Sequence, residues 1–161
     1  MNATGLKCDW LSTPIGTLRL QFDEHGLHSV DIGASRPRGN AEHTTVNPYR
    51  SAFERYFDGE LDALDALPVV MDGTTFQRSV WQALRSIAPG STVSYAQLAD
   101  KVGNPRASRA VGSANGRNPL PIIVPCHRVI SADGTLGGFS AGLKAKRWLL
   151  QHEGASVKLK A

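Results

Sequence analysis

The sequence predicts an α/β chain of the α+β kind: a small N-terminal sheet-plus-helix domain, then a mostly helical domain with a helix-turn-helix and a short strand. Three observations lead there. Alternating apolar and polar residues mark the front of the chain, as half-buried strands require. Beyond Gly73 the apolar spacing changes to helical steps. The charge divides at the same place: residues 1–72 hold 6 Lys/Arg against 11 Asp/Glu, a balance of −5, whereas residues 73–161 hold 12 against 3, a balance of +9. The expected domains are therefore 1–72, a supporting domain, and 73–161. On charge alone the basic half is either a solvated face or a surface that meets a polyanion. With 161 residues, 41% of them hydrophobic, the chain can bury a core and is too apolar for disorder. No apolar run approaches the roughly 18–20 residues of a membrane span, so no membrane partner is expected.

In the front half, Leu18, Leu20 and Phe22 alternate with Arg19 and Gln21, and the turn Thr13-Pro14-Ile15-Gly16 leads into them. Glu24-His25-Gly26 separates this strand from a second alternation, Leu27-Val30-Ile32. Gly33–His43 is polar and reads as a loop. Asn47-Pro48 offers a cap and first-turn proline for a helix carrying Tyr49, Phe53, Tyr56 and Phe57, closed by Gly59; aromatics at those steps read as core.

In the back half, Thr74 and Gln77 make a capping box for a helix with the stripe Phe76, Val80, Trp81, Leu84 and Ile87, stopped by Pro89-Gly90. A short helix follows over about Tyr95–Val102, with Leu98 and Val102 inward, then the turn Gly103-Asn104-Pro105 and a third helix over about Arg106–Asn115. This is the helix-turn-helix outline. Apart from Arg106, Arg109 and Val111, that third helix is built of small residues, among them Ala107 and Ser113. Small residues either pack the helix tightly on a neighbour or let its backbone approach a sugar-phosphate surface with little base readout. Different faces can do both.

Two cysteines, Cys8 and Cys126, permit one disulfide, but a reduced interior is the simpler expectation. The first ten residues lack a basic segment leading into an apolar one, so no signal peptide is expected and residence is expected to be cytoplasmic. Cys126 lies in the segment from Asn118 to Ile130, where Ile122–Val124 reads as a buried strand bracketed by Pro119, Pro121 and Pro125. A free cysteine is usually a small buried hydrophobe. His127 and Arg128 beside it raise the alternative of a reactive thiolate, which needs a base or a positive field. Adjacent residues on an extended strand point to opposite faces, so a bridging water would carry the proton from thiol to imidazole. Of the three acids in this half, Asp133 falls in the turn with Gly134 and Asp100 on an exposed helix side. Glu153, at the end of the helix carrying Trp148, Leu149 and Leu150, is the better candidate to orient the ring.

The run Pro125-Cys126-His127-Arg128-Val129 resembles the active-site signature of the O6-alkylguanine-DNA alkyltransferases, the methylated-DNA–protein-cysteine methyltransferases. The resemblance extends through Phe76-Gln77, Val80-Trp81, Ser94-Tyr95, Leu98-Ala99, Arg109-Ala110-Val111-Gly112, Asn118-Pro119, and Leu149-Leu150 with Glu153, in the family's order and spacing. It covers nearly all of 73–154; the front half matches more loosely, through Pro14-Ile15-Gly16 and the helix ending at Gly59. The resemblance implies a DNA repair protein that flips O6-alkylguanine from the duplex and transfers the alkyl group once, irreversibly, to its own cysteine. It implies Cys126 as acceptor, His127 as base through water, Glu153 as its orienter, and Asn118 as a hinge tying the helix-turn-helix to the cysteine segment. Tyr95 would donate to guanine N3 and crowd the phosphate, while Arg109 would fill the space of the flipped nucleotide. Arg106, Ala107 and Ser113 would lie along the DNA, and Pro121, Val129, Phe139 and Ser140 around the base. Double-stranded DNA is the implied partner, with O4-alkylthymine as an alternative lesion, and the protein is expected to act as a monomer without a cofactor.

Three departures from the family pattern stand out. Asp23 and Thr4 occupy positions where some members hold a structural zinc through cysteines, so no metal is expected. Phe139 replaces a common tyrosine, and Ala141 a common glycine, in the loop expected to line the pocket. Competing readings are an alkyltransferase-like protein that binds damage without transfer, a cysteine hydrolase using Cys126, His127 and Glu153, and a helix-turn-helix transcription factor. The presence of Cys126 argues against the first.

Overall fold

A computed structural model describes residues 5–36 and 46–156. Thr4 and positions 37–43 of the expected loop lie outside the described residues. The chain divides into two compact units, one running to Met71 and including Pro119–Pro121, the other comprising Asp72–Asn118 and the chain from Ile122 onward.

The first unit is an antiparallel meander of β1 (Lys7–Thr13), β2 (Gly16–Asp23) and β3 (Gly26–Ile32), followed by α1 (Arg50–Phe57). Inward positions Leu11, Leu18, Leu20, Phe22, Leu27 and Val30 are buried, as are Ala52, Phe53 and Tyr56 of α1. The Phe22 and Tyr49 rings meet edge to face at 5.7 Å. β1 was not anticipated from the sequence. Its inward position Asp9 is polar and breaks the apolar alternation, yet it is 1% exposed because Arg50 Nη1 and Asn47 Nδ2 each donate to Asp9 Oδ2 at 3.0 Å. Asn47 caps less directly than expected: its Oδ1 accepts from Tyr49 N at 2.9 Å, and the helix begins two residues beyond Pro48. At Gly26 (φ +144) the backbone passes so close to the Pro68 carbonyl that a Cβ would lie 2.6 Å from its oxygen, which only glycine allows.

The second unit contains α2 (Thr75–Leu84), β4 (Val93–Ser94), α3 (Tyr95–Lys101), α4 (Ser108–Gly116), a single 3-10 turn at Cys126–Arg128, β5 (Val129–Ile130) and α5 (Leu143–His152). The Thr74–Gln77 capping box forms as expected, and Ser94 and Gln97 form a second one at the start of α3; each cap of this kind contributes about 1 kcal/mol. Trp81, fully buried on α2, donates from Nε1 to the Ala114 carbonyl at 2.9 Å and so fixes α4 against α2. Losing such a side chain costs about 3–5 kcal/mol, which makes Trp81 the main anchor of the helix-turn-helix.

The expected strand over Ile122–Val124 is instead a turn. Prolines on both sides deny it ladder donors, and Ile122 takes a left-handed conformation at φ 77 while buried. Strand geometry begins only at Val129, where β5 pairs in parallel with β4, matching Val93 to Val129 and Ser94 to Ile130. That two-residue ladder sets the first residue of α3, Tyr95, beside the segment bearing Cys126. Among the described residues no helix is long and apolar enough to cross a membrane.

Candidate active site

Everything at this site belongs to the second unit. The 3-10 turn puts Cys126, His127 and Arg128 in one tight coil, so the opposite-face geometry of an extended strand does not apply. Cys126 is 5% exposed, and burial raises its thiol to a pKa of about 11, against the opposing effects of the Asn118 side-chain hydrogen bond and the Lys146 charge. At neutral pH such a thiol keeps its proton. The resting sulfur is therefore a covered, neutral thiol.

His127 is completely buried, and burial pulls its pKa below the usual histidine value despite the Glu153 carboxylate. Its ring is therefore neutral at physiological pH. Nε2 lies 2.9 Å from Glu153 Oε2. Burial alone would raise the Glu153 carboxyl, but hydrogen bonds from His127 and Arg128 outweigh it and hold the group well below the carboxylate range. An ionised carboxylate only accepts, so Nε2 carries the proton and donates it. Nδ1 is left with a lone pair, and it has no hydrogen-bond partner among the described residues. That is the arrangement of a base held in one tautomer by a carboxylate.

Arg128 completes the group. Its Nε donates to Glu153 Oε1 at 2.9 Å and its Nη2 to Oε2 at 2.8 Å, while Nη1 donates to the Ile87 carbonyl. Arg128 therefore does not share a basic surface with Arg106, Arg109 and Arg117. Arg128 is buried and committed to Glu153, and the other three are exposed. Asp100 is exposed on α3, and Asp133 Oδ1 accepts from Thr135 N and Oγ1, so neither competes with Glu153.

A cavity of about 220 Å3 opens beside the sulfur, lined by Tyr95, Gly112, Asn115, Gly116, Cys126, Gly138, Phe139 and Ser140. That is below the roughly 300–1,000 Å3 of sites for drug-sized ligands and suits one heterocyclic base. Burial, then repulsion from Cys126 once its sulfur ionises, raises the Tyr95 pKa against a backbone hydrogen bond from Gly138, so the hydroxyl keeps its proton. Gly137 (φ +73) lets the loop pass over this hydroxyl: a Cβ there would lie 3.4 Å from it and 3.2 Å from Ser131 Oγ.

Of the sequence candidates, Cys126, Tyr95, Phe139 and Ser140 line the cavity, while His127 and Glu153 pair with each other and are not among its lining residues. Asn118 donates from Nδ2 to the Val124 carbonyl at 2.8 Å, bracing the turn before the cysteine. Val129 is buried in β5, and Pro121 lies in the short segment grouped with the first unit; neither is among the lining residues. On α4, Arg109, Ala110, Ser113 and Gly116 are exposed while Val111, Ala114 and Asn115 are buried; Arg106 and Ala107 precede the helix.

Two residues escaped the sequence reading. Lys146 has no exposed surface; its Nζ donates to the carbonyls of Val129 at 2.7 Å and Gly138 at 2.9 Å, tying β5 to the cavity loop. Burial lowers its pKa to about 8. Asn115 is 6% exposed and hydrogen-bonds the backbone of Cys126. The available signal was the same for both: a polar residue on the inward stripe of a helix, three or four positions from Leu143 and Leu149 in one case and from Val111 in the other.

Comparison with known proteins agrees with this geometry. The model for the 6-O-methylguanine DNA methyltransferase DNA binding domain matches residues 75–155, and that for the ribonuclease-like domain matches residues 6–71. The methylated-DNA–protein-cysteine methyltransferase of Salmonella typhimurium is 56% identical over 159 residues, covering 89% of this chain and 93% of its own. That of Methanosarcina acetivorans is 45% identical over 149 residues, covering 89% and 95%. Among solved structures, the Mycobacterium tuberculosis OGT in complex with DNA superposes with a TM-score of 0.76 at 41% identity, over 90% of this chain and 91% of that one.

Proposed function

The chain belongs to the 6-O-methylguanine DNA methyltransferase family, and from that premise we propose that it moves the alkyl group of an O6-alkylguanine, turned out of double-stranded DNA, onto Cys126 in one irreversible step. The observation that carries this reading is the Cys126 thiol in the wall of a base-sized cavity, followed in the same 3-10 turn by a histidine whose Nε2 is engaged by Glu153 and whose Nδ1 is free to take a proton.

The step balances as follows. The thiol proton passes to His127 Nδ1, through water where the path requires it. The sulfur lone pair attacks the alkyl carbon in line, and the carbon–O6 bond breaks with its electrons going to the base. Tyr95 donates toward N3 as negative charge develops on the ring, and the base, still joined to its strand, regains a proton from solvent as His127 gives up the thiol's proton, so that neutral guanine and a neutral imidazole remain. The product is a thioether, whose sulfur is a poor leaving group and which water does not hydrolyse as it would a thioester. Each molecule therefore acts once. Residues 73–161 carry the chemistry and 1–72 support it, with no cofactor and no second copy required.

The open face of α4 suits DNA without sequence preference: short side chains admit the helix to the backbone surface, and arginines flank them. Binding is expected to weaken with salt as phosphate contacts displace counterions. Arg109, the one long side chain on that face within the helix, occupies the vacated place in the stack. Extrusion costs a few kcal/mol, so Arg109→Ala is expected to slow transfer from duplex by about 10- to 100-fold and leave transfer from the free O6-methylguanine base unchanged. Single-turnover assays on the two substrates check this, and equal loss on both rejects the role.

Incubation with radiolabelled methylated duplex tests the whole reading. One label per molecule, located on Cys126 by peptide mapping and not exceeded on longer incubation, is the expected result. Repeated turnover or label elsewhere overturns it. Binding to the lesion without label on the protein would instead identify a damage-binding protein without transfer.

A further inference from the structure

We propose that Lys146 is a positioning residue for transfer: it fixes Gly138 so that the Gly138 N–H engages the Tyr95 hydroxyl oxygen and turns the phenol proton toward the base; this rests on the cavity beside Cys126 being the base site. Lys146 has no exposed surface, and among the described residues it pairs with no carboxylate, the charge that opposes its burial being that of Cys126 once ionised. A cation buried without a carboxylate is costly, and such groups concentrate at functional sites. Its Nζ donates to the Val129 carbonyl at 2.7 Å, just beyond the turn that carries the sulfur, and to the Gly138 carbonyl at 2.9 Å, in the loop that lines the cavity. With a pKa of about 8 the amine is still mainly protonated at neutral pH, so both bonds are charge-assisted.

The loop needs such an anchor. Gly137 and Gly138 stand side by side, with no side chains to pack and the widest backbone freedom of any residue type. Gly137 takes φ +73, and a Cβ there would lie 3.4 Å from the Tyr95 hydroxyl, so this bare stretch of backbone runs directly beside that group. The Gly138 N–H donates to the hydroxyl, and the Gly138 carbonyl accepts from Lys146. One glycine is thus gripped from both sides, by the first residue of α3 and by α5, which buried Ala145, Leu149 and Leu150 hold in place. A phenol oxygen that accepts a bond on one lone pair directs its own O–H elsewhere. A misplacement of about 1 Å at a reacting group costs on the order of 100-fold in rate. Without Lys146 the glycine pair drifts, the Tyr95 proton loses its aim, and donation toward the leaving base weakens.

The test compares single-turnover transfer from an O6-methylguanine duplex in wild type, Lys146→Met, Tyr95→Phe and the double variant. Methionine keeps an unbranched apolar stem but donates no hydrogen bond. Lys146→Met is expected to slow transfer by about 10- to 100-fold where Tyr95 is present, and by no more than about 3-fold in the Tyr95→Phe background. Alkylation of Cys126 by iodoacetamide, whose leaving iodide needs no proton donor, reads the sulfur alone and is expected to fall by no more than about 3-fold. An equal loss of transfer in both backgrounds, as a purely structural role would give, overturns the proposal. So does no loss, and so does an iodoacetamide rate that falls as far as transfer, which would assign the effect to the sulfur. If Lys146→Met does not fold, Lys146→Gln, shorter and uncharged, gives the same comparison. Wild-type protein that takes iodoacetamide on Cys126 but no methyl group from the duplex condemns the reading of the base site itself, which keeps the two failures apart.

Discussion

Replacing Cys126 with alanine is expected to abolish methyl transfer to the detection limit while leaving binding to methylated duplex in place. The alternatives on the cavity wall are poorer acceptors: Tyr95 retains its proton, and the Ser140 hydroxyl is far less polarisable. Sulfur is also the only polarisable nucleophile on the cavity wall. The structural cost is small, about 1 kcal/mol for one buried heavy atom, so the variant should fold and be assayed directly. Gel-shift titration beside the labelling assay separates the outcomes. Residual stoichiometric labelling in the variant would show that another residue accepts the group.

Glu153→Gln is expected to damage both stability and chemistry. Arg128 loses the charge that accepts two of its hydrogen bonds, and stripping one partner from a buried pair costs about 3–5 kcal/mol. For a chain of this size that lowers Tm by roughly 6–20 °C. The chemical effect follows from the tautomer. If the glutamine keeps its oxygen toward Arg128, its amide N–H faces His127 Nε2, which must then accept. The ring proton moves to Nδ1, and the base is lost at the atom that needs it. Transfer is expected to fall by about 100- to 10,000-fold, and nitrogen NMR of the imidazole should show the exchanged tautomer. Loss of stability with transfer and tautomer unchanged would reduce Glu153 to a structural residue.

The same pair sets an acid limit on folding. The unfolded chain binds a proton at His127 below about pH 6.5 and at Glu153 below about pH 4.3. In the folded protein, burial of His127 and the hydrogen bonds to Glu153 depress both values, so the native state resists both protons. Stability is therefore full above about pH 6.5 and declines as pH falls below it. Denaturant titrations between neutral pH and pH 4 check the slope, which Glu153→Gln should flatten at its acid end.

Features of this molecule that local spacing determines were legible in the sequence. The helix-turn-helix, the Thr74–Gln77 cap, the buried aromatics of α1 and the prominence of Cys126 and His127 all follow from periodicity, capping chemistry or adjacency. Features set by distant contacts were less so. β1 was hidden because Asp9 occupies an inward position that only Arg50 and Asn47 make tolerable. Ile122–Val124 has the composition of a strand, but the prolines around it remove the hydrogen bonds a strand needs. Glu153 could be nominated by elimination, yet its burial depends on Arg128 reaching back to it and on the Gly90 turn (φ +87) lying against its carbonyl, where a Cβ would sit 3.0 Å away. Lys146 and Asn115 read as ordinary helix polars until the fold turns them inward.

The exposed face of α4 has one more consequence, for how lesions are found. A helix that offers Ala110, Ser113 and Gly116 to the duplex has nothing with which to linger at a preferred sequence. Ordinary DNA then presents a nearly level landscape, and the protein's dwell time is about the same at one base pair as at the next. On the proposed function, recognition waits until a base has left the stack and entered the cavity, where an undamaged guanine would offer no alkyl carbon to attack. Patrolling the duplex and judging the base would then be separate events, governed by different surfaces of the same small unit, and a change that speeds one need not disturb the other.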